Sequence, residues 1–321
     1  MHRPERNRLT RRAALAAVLT ASAFAPGTIA QESTPGGSES EIAPQLPAAD
    51  LPTMNEQGFT FELESSWAGS FDSVPTEAPV YQLVVPAYDQ AAVEELASRL
   101  GIDGEVQDQG GGTFMVEGNG SLFVTPGLQQ YISNAEIPDG ELPSDDEAIA
   151  YAREWLRQIQ LLPANAGDGV VSARIEDPAR VIVSIPPLVP ENLITSYPAI
   201  AVTMGPNAVI LEAAFRWAEL SSADVYALLP IETAWTEVAE RRSYLQADVS
   251  ADAFEPGTAI TGTAVYDSVV IAYTSSGIPG QTQYLQPVYQ FNGSLTPEGS
   301  DTSWPITAYV PALINSQQPV G

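Results

Sequence analysis

Three times along this chain, a segment of helical periodicity is followed by short alternating segments cut apart by glycine, proline and asparagine. That order restricts the fold to short helices laid on antiparallel sheet. The first helix is predicted by Val93, Leu96, Ala97 and Leu100, with Glu95 four residues before Arg99 and Gly101 placed to end it. Strands are expected at 80–85, 105–107, 113–117, 121–125 and 129–133, separated by Gly110-Gly111-Gly112, Gly118-Asn119-Gly120 and Pro126-Gly127. The second helix is announced by a capping box, Ser144 with Glu147, and by Ile149, Ala152, Leu156 and Ile159; Pro163 stops it. Strands near 170–175, 180–185, 199–204 and 208–217 follow, with Gly205-Pro206-Asn207 as a turn. The third helix starts at Pro230 and runs to about Arg242, with Ile231, Ala234, Trp235, Val238 and Ala239 on one face. Beyond it Val269, Ile271 and Tyr273 alternate, as do Leu285, Tyr289 and Phe291, and then Trp304, Ile306, Ala308 and Val310. Trp235 and Val238 are expected to pack on a sheet holding Ile271, Leu285 or Tyr289, and Ile306.

The fold class is therefore α+β, helices packed on antiparallel sheets in two to three related modules. The repeats lack close identity and even spacing, which excludes a solenoid. The expected domains are a first α+β module at 79–142, a middle helix-plus-strands module at 143–225 and a C-terminal helix-on-antiparallel-sheet module at 226–321. Residues 31–78, rich in Pro, Ser, Gly and acidic side chains, read as a spacer, within which Phe59, Phe61 and Leu63 alternate as one strand docking on the modules C-terminal to it.

Residues 1–30 read as a secretory signal peptide. Arg3, Arg6, Arg8, Arg11 and Arg12 precede an apolar run over 13–25, and small residues lead to Ala30, after which cleavage is expected. The run is shorter than the roughly 18 residues of a bilayer span, so no stable membrane anchor is expected after cleavage. Thr10-Arg11-Arg12-Ala13-Ala14-Leu15-Ala16 resembles the twin-arginine export motif, with Ala14 and Ala16 where Phe and Lys are usual, so export by either the general or the twin-arginine route is open. No cysteine is present to carry a lipid. The product is expected to be secreted or associated with the cell envelope.

Of 13 basic and 40 acidic residues, the first 30 positions hold five and one, so the net charge of −27 becomes −31 without them. Such a field repels nucleic acid and anionic headgroups. Every basic residue is arginine, no cysteine exists, and the single histidine is His2, so the mature chain lacks histidine, cysteine and lysine. Ser-His-Asp, Cys-His and Ser-Lys catalysis and Schiff-base chemistry each need one of them. Zinc, copper and haem sites lose their usual nitrogen and sulfur ligands, so no metal and no cofactor is expected.

Carboxylates remain, and two acids at a suitable separation suffice for glycoside hydrolysis or aspartic-type proteolysis. Asp301-Thr302-Ser303 differs by one residue from the Asp-Thr-Gly of aspartic proteases but occurs once, as a polar loop. Asp145-Asp146-Glu147 sits in a helix's first turn, where acids complement the dipole. Asp248, Asp252 and Glu255 form an acidic loop without the ligand order of an EF-hand. Trp155, Trp217, Trp235, Tyr273, Tyr284 and Tyr289 read as core aromatics, with Trp155 one position off its helix's stripe, as at a domain interface. Asn292-Gly293-Ser294 matches a glycosylation sequon.

Ala97-Ser98-Arg99-Leu100-Gly101-Ile102-Asp103-Gly104 looks like the helix end and turn of extracytoplasmic bacterial lipoproteins of unknown function. Val270-Ile271-Ala272-Tyr273, Tyr284-Leu285-Gln286-Pro287-Val288-Tyr289 and Ala308-Tyr309-Val310-Pro311-Ala312 resemble the C-terminal strands of YycH/YycI-type regulators. That resemblance implies a noncatalytic α+β domain outside the membrane that modulates a sensor kinase, although those regulators keep an anchor where this chain carries a cleavable signal; it transfers no functional residue. The expected function is a noncatalytic binding or regulatory protein with an unidentified protein or envelope ligand as partner. The competing class is a carboxylate-dependent hydrolase; two buried acids in a pocket would mark it, whereas an open apolar patch without them would mark a binder.

Overall fold

The structure, a computed structural model, describes residues 46–51, 59–195, 197–221, 224–249, 253–255, 257–276 and 282–313. The signal segment 1–30 lies outside them, as do 31–45 and 52–58 of the expected spacer. After the segment 46–51 come β1 (Thr60–Trp67) and β2 (Glu77–Val84). α1 (Gln90–Arg99) leads into β3 (Val106–Gly110), β4 (Thr113–Glu117), β5 (Gly120–Thr125) and β6 (Leu128–Ser133). α2 (Asp145–Gln158) leads into β7 (Val170–Glu176), β8 (Ala179–Ile185), β9 (Ala199–Met204) and β10 (Ile210–Arg216). The short β11 (Glu219–Leu220) and β12 (Asp224–Ala227) bring the chain to α3 (Ile231–Ala239). Then follow β13 (Tyr244–Ala247), β14 (Ala259–Ser276), β15 (Gln283–Pro297) and β16 (Trp304–Pro311).

These strands make two eight-stranded sheets. One runs β3-β4-β5-β6-β10-β9-β8-β7, so two four-stranded meanders join through their last strands. Alternation explains why both helices lie on one face. Phe114, Val116, Leu122 and Val124 point to α1, whose Val93, Leu96 and Ala97 are buried against them. Val181, Val183, Ile185, Ile200, Val202, Met204, Ala213 and Phe215 point the same way and receive Ala148, Ala152 and Leu156 of α2. The capping box of α2 is visible: the Glu147 carboxylate accepts from the Ser144 N–H at 3.0 Å and from the Ser144 hydroxyl at 2.7 Å.

The other sheet follows the order β1-β14-β15-β16-β13, and β2 pairs with β15, β11 and β12. α3 lies on it. Ala234 and Val238 are buried with Tyr266, Tyr289, Phe291 and Ile306, and Trp235 and Ile271 pack against the same cluster; Leu285 lies in the neighbouring cluster with Tyr273 and Leu83. The Tyr289 hydroxyl donates to the Leu229 carbonyl at 2.6 Å.

Several expectations change. The molecule is sheet-dominated, so helices packed on sheets describes it only loosely: the helices have 10, 14 and 9 residues, while β14 has 18 and β15 has 15. Gly262 and Asp267 interrupt the alternation of β14 and disguise its length, with a bulge falling between Tyr266 and Ser268. Gly293 faces that bulge, where a Cβ would stand 2.3 Å from the Val265 carbonyl oxygen. The sheets are not wholly antiparallel, because β1 pairs parallel to β14 from Thr60↔Ala259 to Trp67↔Tyr266. Residues 31–78 are consequently no uniform spacer: β1 and the start of β2 lie inside that range, and Leu63 is buried. Their composition reads as a linker because the partner strand is some 200 residues away.

The third helix-and-strands unit also differs from the first two. β13 pairs with β16, and β1 occupies the edge of β14 that a meander would give to β13.

Candidate ligand-binding site

Alternation gives the β3–β10 sheet a second face, which carries no helix among the described residues. One register row crosses all eight strands there: Gln107, Met115, Phe123, Gln130, Ala214, Ala201, Ser184 and Val170, none of them charged. In the next row Glu117 and Glu212 bring charge, and Glu212 accepts from the Gln130 amide at 2.7 Å. Phe123, Ile132 and Val170 are exposed on this face at 39, 45 and 58%. Phe123 and Ile132 lie on the neighbouring strands β5 and β6, whereas Val170 lies at the far edge of the sheet on β7.

At one end of that face the two sheets meet around a cavity of about 890 Å³. β2 and the connection 85–88 form one wall, the turn Pro126-Gly127 with Leu128 a second, and Tyr197, Arg216, Ser275 and Gln283 complete it, with Asp50 at the rim. Its size is that of a site for a small organic molecule or a short peptide. The turn requires Gly127, whose φ of +81° suits glycine, and a Cβ there would stand 3.9 Å from the Tyr197 hydroxyl. A smaller cavity of about 270 Å³ lies on the helix-bearing side, between the two meanders, and shares Pro86 and Tyr88 with the larger one.

Both cavities hold an unsatisfied polar atom. The Tyr197 hydroxyl in the larger and the Gln129 amide nitrogen in the smaller are buried without partners among the described residues. Burial raises the pKa of Tyr197, and likewise of Tyr88, which keeps both phenols neutral hydrogen-bond donors at neutral pH. Among the described residues no Asp or Glu is buried, Asp50 is the one carboxylate in the larger lining, and Glu219 is the one in the smaller.

No family model matches this chain, and no curated protein matches it. Among solved structures it is similar to an uncharacterized protein from Eubacterium rectale, with 10% identity over 83% of this chain and 92% of that one, at a TM-score of 0.44. It is also similar to the YpeB C-terminal domain of Bacillus megaterium, with 8% identity over 70% of this chain and 92% of that one, at a TM-score of 0.35.

The residues singled out in the sequence mostly serve the fold. Asp145 pairs with Arg174 at 2.5 Å, and Glu147 is held by Ser144, which pulls its carboxyl below the usual value. Asp252 lies outside the described residues, and no cluster of three potential ligands occurs among those described. Asp301 is exposed in the β15–β16 turn. Trp155 does bridge the two meanders, its ring 6.0 Å from Tyr131 on β6 and 6.4 Å from Phe215 on β10. Trp217, Tyr273 and Tyr289 are buried and Tyr284 half-buried. Asn292 lies in the middle of β15, and no helix among the described residues is long and apolar enough to cross a membrane. Sequence reasoning missed Tyr197, Arg216, Asp50 and Leu128; no local signal marks them, because each comes from a different stretch of chain.

Proposed function

We propose that this is a noncatalytic extracytoplasmic binding protein whose ligand seats in the 890 Å³ cavity, with the adjoining helix-free sheet face available to a larger partner. The carrying observation is a lining that is predominantly apolar, built by both sheets, and supplied, among the described residues, with a single carboxylate, Asp50. A glycosidase or aspartic-type protease works through two carboxylates whose environments separate their pKa values. Glu147 and Glu237 are carboxylates with displaced pKa, and neither lines the cavity. Both are lowered, by Ser144 and by Arg242, on helices away from the cavity. The likeness of the β14–β16 segments to YycH/YycI-type regulators makes control of an envelope partner one form of this reading.

The test is binding of the apolar fluorescent anion anilinonaphthalene sulfonate to the folded protein. Saturable one-to-one binding is expected, and Ala87→Trp, which fills the lining from a loop position, should abolish it without lowering the melting temperature. Binding unchanged in Ala87→Trp would remove the cavity from the reading. Turnover of chromogenic glycosides or of casein would favour the hydrolase instead.

A further inference from the structure

We infer that the cavity takes a dipolar ligand, a short peptide with free ends, its carboxylate at Arg216 and its ammonium group at Asp50. This rests on the cavity being the binding site. Of the eight arginines among the described residues, Arg99, Arg157, Arg174 and Arg242 pair with carboxylates, and Arg153 and Arg241 donate to the carbonyls of Gly167 and Leu63. Arg180 and Arg216 have no partner among the described residues, and of the two Arg216 lines the cavity. Arg216 is exposed in the cavity wall, and no carboxylate among the described residues lies within ion-pair distance of it.

Its charge calls for an anionic group, and the Tyr197 hydroxyl in the same wall, without a partner among the described residues, calls for an acceptor. A carboxylate answers both. A simple anion, however, would leave the Asp50 carboxylate on the same cavity as an opposing like charge. Asp50 and Arg216 form no ion pair with one another, and neither pairs with any other described residue. Two unneutralised charges of opposite sign, with Leu83, Val85 and Leu128 beside them, match a molecule with a charge at each end and an apolar middle.

The test is calorimetric titration of the full exported chain with the tetrapeptide alanyl-leucyl-valyl-alanine, its C-terminal amide and its N-acetyl form. One-to-one binding of the free peptide is expected. Amidation should weaken it about tenfold in the parent and leave Arg216→Gln indifferent, and acetylation should do the same with Asp50→Asn as the indifferent variant. Equal binding of free and blocked peptides would overturn the inference. Absence of peptide binding while anilinonaphthalene sulfonate still binds in an Ala87-dependent way would overturn it and leave the cavity reading standing. If neither probe binds, both readings fall.

Discussion

The three α-helices among the described residues stop in the same way, at a single residue in the left-handed conformation. Gly101, Gln160 and Arg241 have φ of 71, 56 and 61°. In each case two reversed hydrogen bonds close a Schellman cap: Gly101 to Ser98 and Ile102 to Ala97, Gln160 to Arg157 and Leu161 to Leu156, Arg241 to Val238 and Arg242 to Glu237. The apolar contact that normally accompanies such a cap is available to Ile102 and Ala97 and to Leu161 and Leu156. In the third helix an ion pair replaces it, Arg242 to Glu237 at 2.7 Å. Only the first cap uses the residue that takes this conformation without a Cβ penalty, so Gln160 carries a strain of about 1 kcal/mol. Gln160→Gly should stabilise the protein by about that amount and raise the melting temperature by roughly 2 to 4 °C. Its backbone carbonyl, which accepts from Arg99 at 3.5 Å, is kept. A fall in melting temperature would mean that the Gln160 side chain, which lines the smaller cavity, contributes more than its backbone costs.

At the scale of elements, α3 shows why a nine-residue helix holds its place. Trp235 lies 5.6 Å from the Trp67 ring and 5.8 Å from both Tyr266 and Phe291, and Trp67 stacks on Phe71 at 4.5 Å. One indole thereby ties α3 to β1, β14 and β15 at once. Aromatic side chains in such clusters contribute area and ring geometry together. Because Trp235 is half-buried, Trp235→Ala is expected at the low end of the range for removing a core indole, about 3 kcal/mol, or roughly 6 to 12 °C in thermal melting. A variant melting within a degree of the parent would deny α3 its role in fixing β1 to the sheet. The periodicity of α3 was legible in the sequence, and its partners β15 and β16 were visible as alternating segments. β1 was legible as an alternation without a destination, since its hydrogen bonds go to β14 across the whole length of the chain.

The whole molecule joins its parts through few segments. β2 belongs to the β14–β16 sheet, yet the connection 85–88 carries the chain directly from it to α1 on the other sheet. The loop before β9 returns the link, with Tyr273 donating to Asn192 at 3.0 Å and Ile194 to Tyr273 at 2.9 Å. Residues 46–51 close the far side of β14 and β15. The Gln286 amide donates to the Pro47 carbonyl at 2.7 Å, Thr274 donates to the Asp50 carbonyl, and Leu51 is buried with Ala272, Val288 and Tyr309. Asp50 reaches the cavity rim because this segment is anchored.

Acid should act on the molecule as a whole. Glu147 and Glu237 have carboxyl groups lowered from the ordinary 4.5, the first by the Ser144 hydroxyl and N–H, the second by the Arg242 guanidinium. A carboxyl lowered on folding contributes stability that is fully present above its unfolded value and is lost as pH falls through the folded one. The melting-temperature difference between the parent and a Glu147→Gln, Glu237→Gln variant should therefore be constant well above the ordinary carboxyl value and shrink away as pH falls below it. A difference that persists at the acid end would show that the two side chains act by packing, not by charge.

What the sequence determined by itself was local. Helical and alternating periods, the Ser144 and Glu147 cap, and the glycine turns at 110–112 and 126–127 depend on neighbours within a few residues, so composition and spacing carry them. The inventory without histidine, cysteine or lysine beyond residue 2 was equally plain, and residue types alone were enough to narrow the chemistry. Tertiary structure alone decided strand order, since pairing energy is similar for any two alternating strands and closure is chosen by the global fit of their apolar faces. It decided that two meanders share one sheet with both helices on the same side, leaving the opposite face without a helix among the described residues. It also decided the cavity. Asp50, Tyr197 and Arg216 are ordinary residues in ordinary surroundings along the chain, and only the meeting of the two sheets sets a guanidinium without a partner among the described residues, a buried phenol oxygen and a carboxylate around one space.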